Sequence, residues 1–169
     1  MLFGRLTGRN DAEPEEVMFP VKLTAPCVGE VVPMERIGDL AFSQGMLGHC
    51  CGVEPESGEV YAPCDGRITF VADTSHAVSM EIAGIELLIH VGIDTVGMNG
   101  EGFFVKVQED QTVKAGEMLM TMDIAGIRAA EHAATVIMAV TNSAEFDSVR
   151  TTASGRVQTG DNLMIVDKT

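Results

Sequence analysis

The sequence predicts an all-β protein, a sandwich or barrel of short antiparallel strands with at most short helices. Three observations predict it. From Val21 onward, short apolar runs alternate with Gly, Pro and Asp, at roughly the eight-to-twelve-residue spacing of all-β domains. Only one stretch, from Ile124 to Ala134 and rich in Ala, Glu and Arg, has a helical composition, and Asp123 stands before it as a cap. The chain also echoes itself. Ala25-Pro26-Cys27-Val28-Gly29 is repeated as Ala62-Pro63-Cys64-Asp65-Gly66, and the segment from Val113 to Met120 resembles the one from Gly155 to Met164. In each, a proline or polar residue precedes a glycine turn that leads into an apolar strand, which favours a sandwich built from related halves.

Taken in order, the strands are expected at Val21–Thr24, Gly29–Pro33, Ala41–Leu47, Gly52–Pro55, Glu59–Tyr61 and Gly66–Ala72. The second half is expected to supply Ala77–Ile82, Ile85–Val91, Phe103–Val107, Leu119–Asp123, Thr135–Val140 and Leu163–Val166. Ahead of them, residues 1–20 read as an N-terminal tail. Asn10 to Glu16 is polar, acidic and broken by Pro14. Leu2, Phe3 and Leu6 lie near one side of a short amphipathic helix with Arg5 and Arg9 among them, a pattern that can rest weakly on a membrane surface. Residues 21–169 form one domain, long enough to bury a core without disulfides or a metal.

Composition excludes several classes. The formal net charge is −14, from 25 acidic and 11 basic residues, and no basic block exists for a nucleic acid or an anionic membrane. An acidic chain can attract basic protein partners. No apolar run approaches the ~20 residues of a membrane span. The four cysteines, Cys27, Cys50, Cys51 and Cys64, lack zinc-knuckle or thioredoxin-like spacing. They read as small buried apolar residues, and with no signal peptide the expected compartment is the reducing cytoplasm.

The chemistry concentrates in Thr74–Phe103, where two strands meet near Ala83-Gly84. A three-residue loop, Ile82-Ala83-Gly84, would end on a glycine in the left-handed region. Glu81 would then pair with Ile85, Val78 with Leu88, and His76 with His90. That register sets two imidazoles side by side, with Val78 and Leu88 as an apolar skirt. A two-residue loop would shift the register by one and send the histidines to opposite faces. An imidazole is a good nucleophile near neutral pH, and it can accept a phosphoryl group and yield it again. A second imidazole can bind a phosphoryl oxygen, and an apolar rim would limit hydrolysis. On spacing alone a metal site competes equally. His76 and His90 could ligate zinc, but two ligands fall short of the usual three or four.

His76 and the segment LIHVGIDTVGMNGEGF, which begins at Leu88 and carries His90, resemble the glucose-type IIA family of the bacterial sugar phosphotransferase system. Further matching stretches are Thr24-Ala25-Pro26 with Gly29, Phe42 through Gly48, Ala62-Pro63 with Asp65-Gly66, and Val113 through Gly116. The resemblance runs from about Leu23 to Val166. It implies an antiparallel β-sandwich of the barrel-sandwich hybrid type and a phosphohistidine relay. His90 would be the acceptor through Nε2. His76 would orient the phosphoryl group and serve onward transfer, with Thr74 as its hydrogen-bond partner. The donor would be HPr, and the recipient a cysteine of a IIB domain in a sugar permease. Asp39 and Asp94 would face a basic patch on HPr, and Phe42, Met46 and Leu47 would form the apolar rim. No cofactor is required, although a partner complex could hold zinc.

Two histidines stand outside this pattern. After Gly48 the family usually continues Gly-x-Ala-Ile-x-Pro, whereas this chain reads His49-Cys50-Cys51-Gly52-Val53-Glu54-Pro55. The plain reading is a loop variation; the sharper one is an adventitious zinc or redox site. His132, in the Ala-rich stretch, is expected to face solvent. Two further readings accompany the relay. One is a regulatory protein that docks other targets according to its phosphorylation state. The other is a zinc hydrolase on a similar scaffold, which would need a third ligand and a general base. The sugar is not encoded here, because sugar choice belongs to a membrane IIC partner. MLFGRL reads as a natural start, so the chain is expected to act as a free-standing component.

Overall fold

A computed structural model describes residues 16–169. The amphipathic segment expected over residues 1–9 and most of the acidic linker lie outside the described residues. The rest forms three antiparallel sheets. One runs β1 (Val21–Thr24), β14 (Asn162–Asp167), β12 (Ser148–Thr151). A second runs β4 (Glu59–Tyr61), β10 (Met118–Met122), β8 (Phe103–Val105). The third has eight strands, in the order β13 (Arg156–Val157), β2 (Gly29–Val32), β3 (His49–Pro55), β11 (Val136–Val140), β7 (Ile85–Val91), β6 (Ala77–Ile82), β5 (Gly66–Val71), β9 (Thr112–Val113). Two short helices, α1 (Leu40–Ser43) and α2 (Ile124–Ala129), complete the fold.

The sequence echo is a pseudo-twofold axis. The two Ala-Pro-Cys turns bind each other reciprocally: the amide of Thr24 donates to the carbonyl of Pro63 at 2.9 Å, and that of Tyr61 donates to Pro26 at 2.7 Å. Each turn then grips the partner turn of the other repeat. Ala25 donates to Asp161 and Ala62 to Glu117, both at 2.8 Å, while Gly160 and Gly116 donate back to Ala25 and Ala62. The eight-stranded sheet obeys the same symmetry. Read from either end it begins with a two-residue strand, then the strand that follows an Ala-Pro-Cys turn. The halves join at β7 and β11.

Alternation along the central strands divides the core in two. Leu87, Ile89 and Val91 of β7, with Val136 and Met138 of β11, face inward. They pack with Leu23, Val60, Met120 and Met164 from the two small sheets, all buried. The opposite face of the large sheet carries a smaller cluster: Ile137 and Ala139 of β11, Cys50 of β3, Phe42 of α1 and Ile37, with Leu88 and Ile93 at its margin. This outer cluster is the floor on which the histidines stand. All four cysteines are buried and free. Burial pushes the thiols of Cys27, Cys51 and Cys64 up to about 12 and that of Cys50 to about 11.

Three expectations change. The segment Ala41–Leu47 is not a strand. Asp39 caps α1 by accepting a hydrogen bond from the amide of Phe42 at 3.2 Å, and the chain turns out of the helix through Gly45 and Gly48. His49 to Cys51 is not a loop but the start of β3, paired with Val140 to Met138. The hairpin register also differs. The loop has two residues, and the pairs are Ile82 with Ile85, Ser79 with Leu88, and Ala77 with His90. Ala83 and Gly84 both take positive φ, 50° and 79°, the arrangement of a type I′ turn, whose twist matches the flanking strands.

Candidate functional site

Strand β7 delivers His90 to the outer face of the large sheet, opposite Ala77 on β6 and Ile137 on β11. A two-residue loop was expected to send His76 to the other face. It does not, because His76 stands outside the strand. β6 begins at Ala77, and the chain before it bends through Ser75, a non-glycine residue at φ 58°. Period-two alternation stops there, so the His76 side chain reaches the His90 face although its carbonyl still accepts from the amide of Val91 at 2.8 Å. The imidazole centroids lie 4.9 Å apart and the rings are nearly perpendicular, at 82°. The Phe42 ring lies 5.2 Å from His90, tilted by 59°.

Hydrogen bonds fix which nitrogen is available. The Nδ1–H of His90 donates to the carbonyl of Gly92 at 2.9 Å. A carbonyl only accepts, so Nδ1 carries the proton and Nε2 of the neutral ring keeps its lone pair. Gly92 can serve this role because it has no Cβ. Its φ is 79°, and an added Cβ would lie 2.3 Å from Cγ2 of Thr95 and 2.9 Å from the carbonyl oxygen of Ala133. His76 is anchored at Nδ1, 2.7 Å from the hydroxyl of Thr74, which leaves its Nε2 free.

Electrostatics keep His90 neutral. Burial first, then the neighbouring His76, hold its pKa down to about 4, against the opposing pull of the Gly92 hydrogen bond and of Asp39 and Asp94. Burial also lowers His76, opposed by the backbone carbonyl of Thr74. On the segments that flank Phe42 and Asp94, Leu40 is 72% exposed, Met46 71%, Val96 56% and Leu47 39%. These are large values for apolar side chains beside one site. Asp39 caps α1, and the exposed Asp94 holds a left-handed backbone at φ 57°. The outcome is a narrow polar centre inside an apolar surface with carboxylates at its edge.

The structure thus brings together His90, His76, Thr74, Phe42, Asp39 and Asp94, with Leu88 on the same outer cluster, while Met46 and Leu47 are exposed just after α1. Val78 is not among them. The register that differs by one residue turns it inward, fully buried in the main core. Leu88 remains on the His90 face, packed on the outer cluster. Leu40 and Val96 belong to the exposed apolar surface and were missed by the sequence reading. Their signal was adjacency to Asp39 and Asp94.

His49 lies elsewhere. Its Nε2 is 3.1 Å from the Thr151 hydroxyl, and it lines a cavity of about 420 Å³ with Met34, Glu35 and Arg150. Cys50 and Cys51 fall on opposite faces of β3, so the three residues do not converge. Among the described residues no group of three or more His, Cys, Asp or Glu side chains is set to hold a metal. His76 and His90 would give a zinc ion two nitrogen ligands and leave the remainder to a docked partner. Among the described residues no helix is long and apolar enough to cross a membrane.

A neutral nucleophilic nitrogen, a second imidazole within reach and exposed apolar side chains on the neighbouring segments suit a carrier. Such a site takes a small group from one protein and hands it to another. Residues 21–146 match the family described as phosphoenolpyruvate-dependent sugar phosphotransferase system, EIIA 1. The chain is 34% identical over 165 residues to the PTS system glucose-specific EIIA component of Oceanobacillus iheyensis, covering 97% of this chain and 98% of that protein. It is 35% identical over 166 residues to the PTS system glucoside-specific EIICBA component of Staphylococcus carnosus, of which it covers 24%. Among solved structures, the glucose permease IIA from Mycoplasma capricolum superposes with a TM-score of 0.79 at 30% identity, covering 89% of this chain and 99% of that one. The chain belongs to the EIIA family of the sugar phosphotransferase system and is a phosphoryl-relay component of that system.

Proposed function

We propose that His90 is the phosphoryl acceptor, that the donor is the phosphohistidine of HPr, and that the recipient is the cysteine of a IIB domain in a glucose- or glucoside-type permease, in the cytoplasm. The observation that carries this reading is the 2.9 Å bond from Nδ1–H of His90 to Gly92, which reserves the Nε2 lone pair. In the first step Nε2 attacks the phosphorus. The P–Nε2 bond forms as the donor's P–N bond breaks, and that bonding pair leaves with the donor imidazole. In the second step a cysteine thiolate attacks the phosphorus and the P–Nε2 pair returns to His90. The proton stays on Nδ1, hydrogen-bonded to the Gly92 carbonyl throughout, so no base is needed to activate the ring.

His76 assists from the side. Thr74 holds the ring at Nδ1, so the Nε2 edge of His76 faces outward and can meet a phosphoryl oxygen. Such help matters because phosphoryl transfer depends on positioning and charge stabilisation. The apolar surround of Leu40, Met46, Leu47 and Val96 meets the partner and excludes water, with Asp39 and Asp94 steering a basic surface toward it.

The test is phosphorylation by phosphoenolpyruvate with purified enzyme I and HPr, read by intact mass. Wild type gains one phosphate that is acid-labile and base-stable. His90→Ala gains none, and His76→Gln is still phosphorylated but passes phosphate to the IIB cysteine poorly. A His90→Ala protein that gains a full phosphate would remove His90 from the relay. A His76→Gln protein that takes none would overturn the division of labour.

A further inference from the structure

Four asparagines stand in the chain, Asn10, Asn99, Asn142 and Asn162, and Asn99 alone precedes a glycine. It closes the 3-10 turn Thr95–Met98 that follows Asp94, in a left-handed conformation at φ 54° and ψ 35°. It is exposed, and it lines a polar cavity of about 440 Å³ with Glu101, Asp123 and His132. His132, expected to face solvent, is half-buried there, with Nδ1–H donating to the carbonyl of Ile93 at 3.0 Å. The turn is loosely held. Asn99 donates to Val96 and Phe103 donates to Gly100, both at 3.3 Å, beyond the usual length of such a bond. Among the described residues the Gly100 amide donates to no backbone carbonyl. Asn142 is the opposite case: its carboxamide is tied to Gly84, Glu86 and Glu145 at 2.7–3.0 Å.

We infer that Asn99–Gly100 is a site of spontaneous modification beside the relay histidines, where the asparagine converts to isoaspartate with loss of ammonia. The Gly100 amide nitrogen attacks Cγ of Asn99. A new C–N bond closes a succinimide ring as the Cγ–Nδ2 bond breaks, and Nδ2 leaves as ammonia with the proton from the Gly100 amide. Water then opens the ring at either carbonyl. Breaking the new bond gives aspartate. Breaking the original peptide bond gives isoaspartate, in which the backbone runs through Cγ. Glycine favours the closure because no side chain shields its nitrogen. Closure requires rotation about ψ of Asn99, which the long bonds around the turn oppose only weakly, and the cavity admits the water. Isoaspartate lengthens the backbone by one methylene, about 1.5 Å. Gly100 packs toward Thr74: an added Cβ would already touch the Thr74 carbonyl oxygen, at 3.7 Å. That carbonyl acts on His76, and the Thr74 hydroxyl holds Nδ1 of the same ring at 2.7 Å. The extra methylene is therefore felt first by the imidazole proposed to serve onward transfer. This consequence rests on that reading of His76; the modification itself does not.

The test ages the folded protein in mildly alkaline buffer at physiological temperature. Intact mass, peptide mapping and labelling by an isoaspartate methyltransferase follow the conversion, and phosphoryl transfer to a IIB domain is then measured. Wild type is expected to gain about 1 Da, with isoaspartate at Asn99 ahead of Asn142 and Asn162. Asn99→Gln, whose longer side chain closes its ring slowly, is expected to show no conversion at this position. The aged wild type is expected to accept phosphate and to pass it on at a rate lower on the order of tenfold. Asn99→Asp carries the charge without the added methylene and is expected to transfer as the fresh protein does.

An Asn99 still intact after ageing would overturn the site. An isoaspartate form that transfers as fast as the fresh protein would overturn its reach to His76, as would an Asn99→Asp protein as slow as the aged one. If fresh wild type accepted no phosphate, the relay reading would fail. The mass and labelling of the aged protein would still decide the modification.

Discussion

One proton explains much of the behaviour expected of His90. Nδ1 holds it against the carbonyl of Gly92, and burial with His76 nearby keeps a second proton off down to a pKa of about 4. The ordinary value in an unfolded chain is about 6.5. An NMR titration of the His90 ring should therefore show a midpoint far below 6.5; a midpoint near 6.5 would contradict the burial argument. The same shift links to stability. Between pH 6.5 and 4 the unfolded chain binds a proton at this ring and the folded chain does not, so stability is full above that window and falls as pH drops through it. His90→Gln should flatten the acid slope of the melting temperature. The proposed acceptor stood out in the sequence through the segment that begins at Leu88. What was not legible was why it works, because Gly92 had to be seen at φ 79° against Thr95. His132 was illegible for a related reason: its contact crosses 39 residues, and no local pattern encodes it.

At the scale of single elements, the hairpin is the instructive case. Both loop lengths were open in the sequence, since alanine at Ala83 gives no sign of accepting positive φ. The structure places it at 50°, fully exposed, followed by Gly84 at 79°. A left-handed L-residue other than Gly, Asn or Asp costs about 1–2 kcal/mol, and asparagine is the preferred first residue of this turn. Ala83→Asn is expected to stabilise the fold by roughly 0.5–1 kcal/mol, measured as a rise in the urea midpoint with an unchanged slope. A loss of stability would mean that the turn is not of this type. The sequence argument got the pairing of the histidines right in effect but by a register the protein does not use. The bend at Ser75, not the ladder, brings His76 across. In the same way, the apolar run Ala41–Leu47 read as a strand until Asp39 was seen capping it. The strands Thr112–Val113 and Arg156–Val157 were too short to leave a periodic trace.

At the scale of the whole molecule, both relay partners are proposed to meet the face that carries His90. Leu40, Met46, Leu47 and Val96 are exposed on the segments that carry Phe42 and Asp94, Asp39 and Asp94 act on His90, and the chain carries a net charge of −14. Exposed charges are screened beyond ~8 Å at physiological ionic strength. The second-order rate of phosphoryl transfer from HPr is therefore expected to fall as salt rises, and the doubly neutralised Asp39→Asn, Asp94→Asn protein to transfer more slowly with a shallower salt dependence. Equal slopes in the two proteins would take these carboxylates out of the steering argument. The overall class was readable because many short strands and the twin Ala-Pro-Cys turns are local signals. The nesting of the halves was not, since it depends on which distant strands meet.

That nesting bears on how a ribosome delivers the protein. One half, β4 through β10, is contiguous, from Glu59 to Met122. The other is split around it, with β1 to β3 made first and β11 to β14 made last. A nascent chain that ends before Val136 already holds β3 and β7, yet the strand that must lie between them does not exist. Both would offer bare edges to one another or to neighbouring chains, the situation in which strands misregister and aggregate. The floor of the histidine site, Ile137 and Ala139, arrives only with β11. The first strand, β1, waits longer still, because among the described residues its only sheet partner is β14. A chain that stops before β11 therefore lacks the floor of the histidine site, and the last strands to be made are the ones that join the two halves.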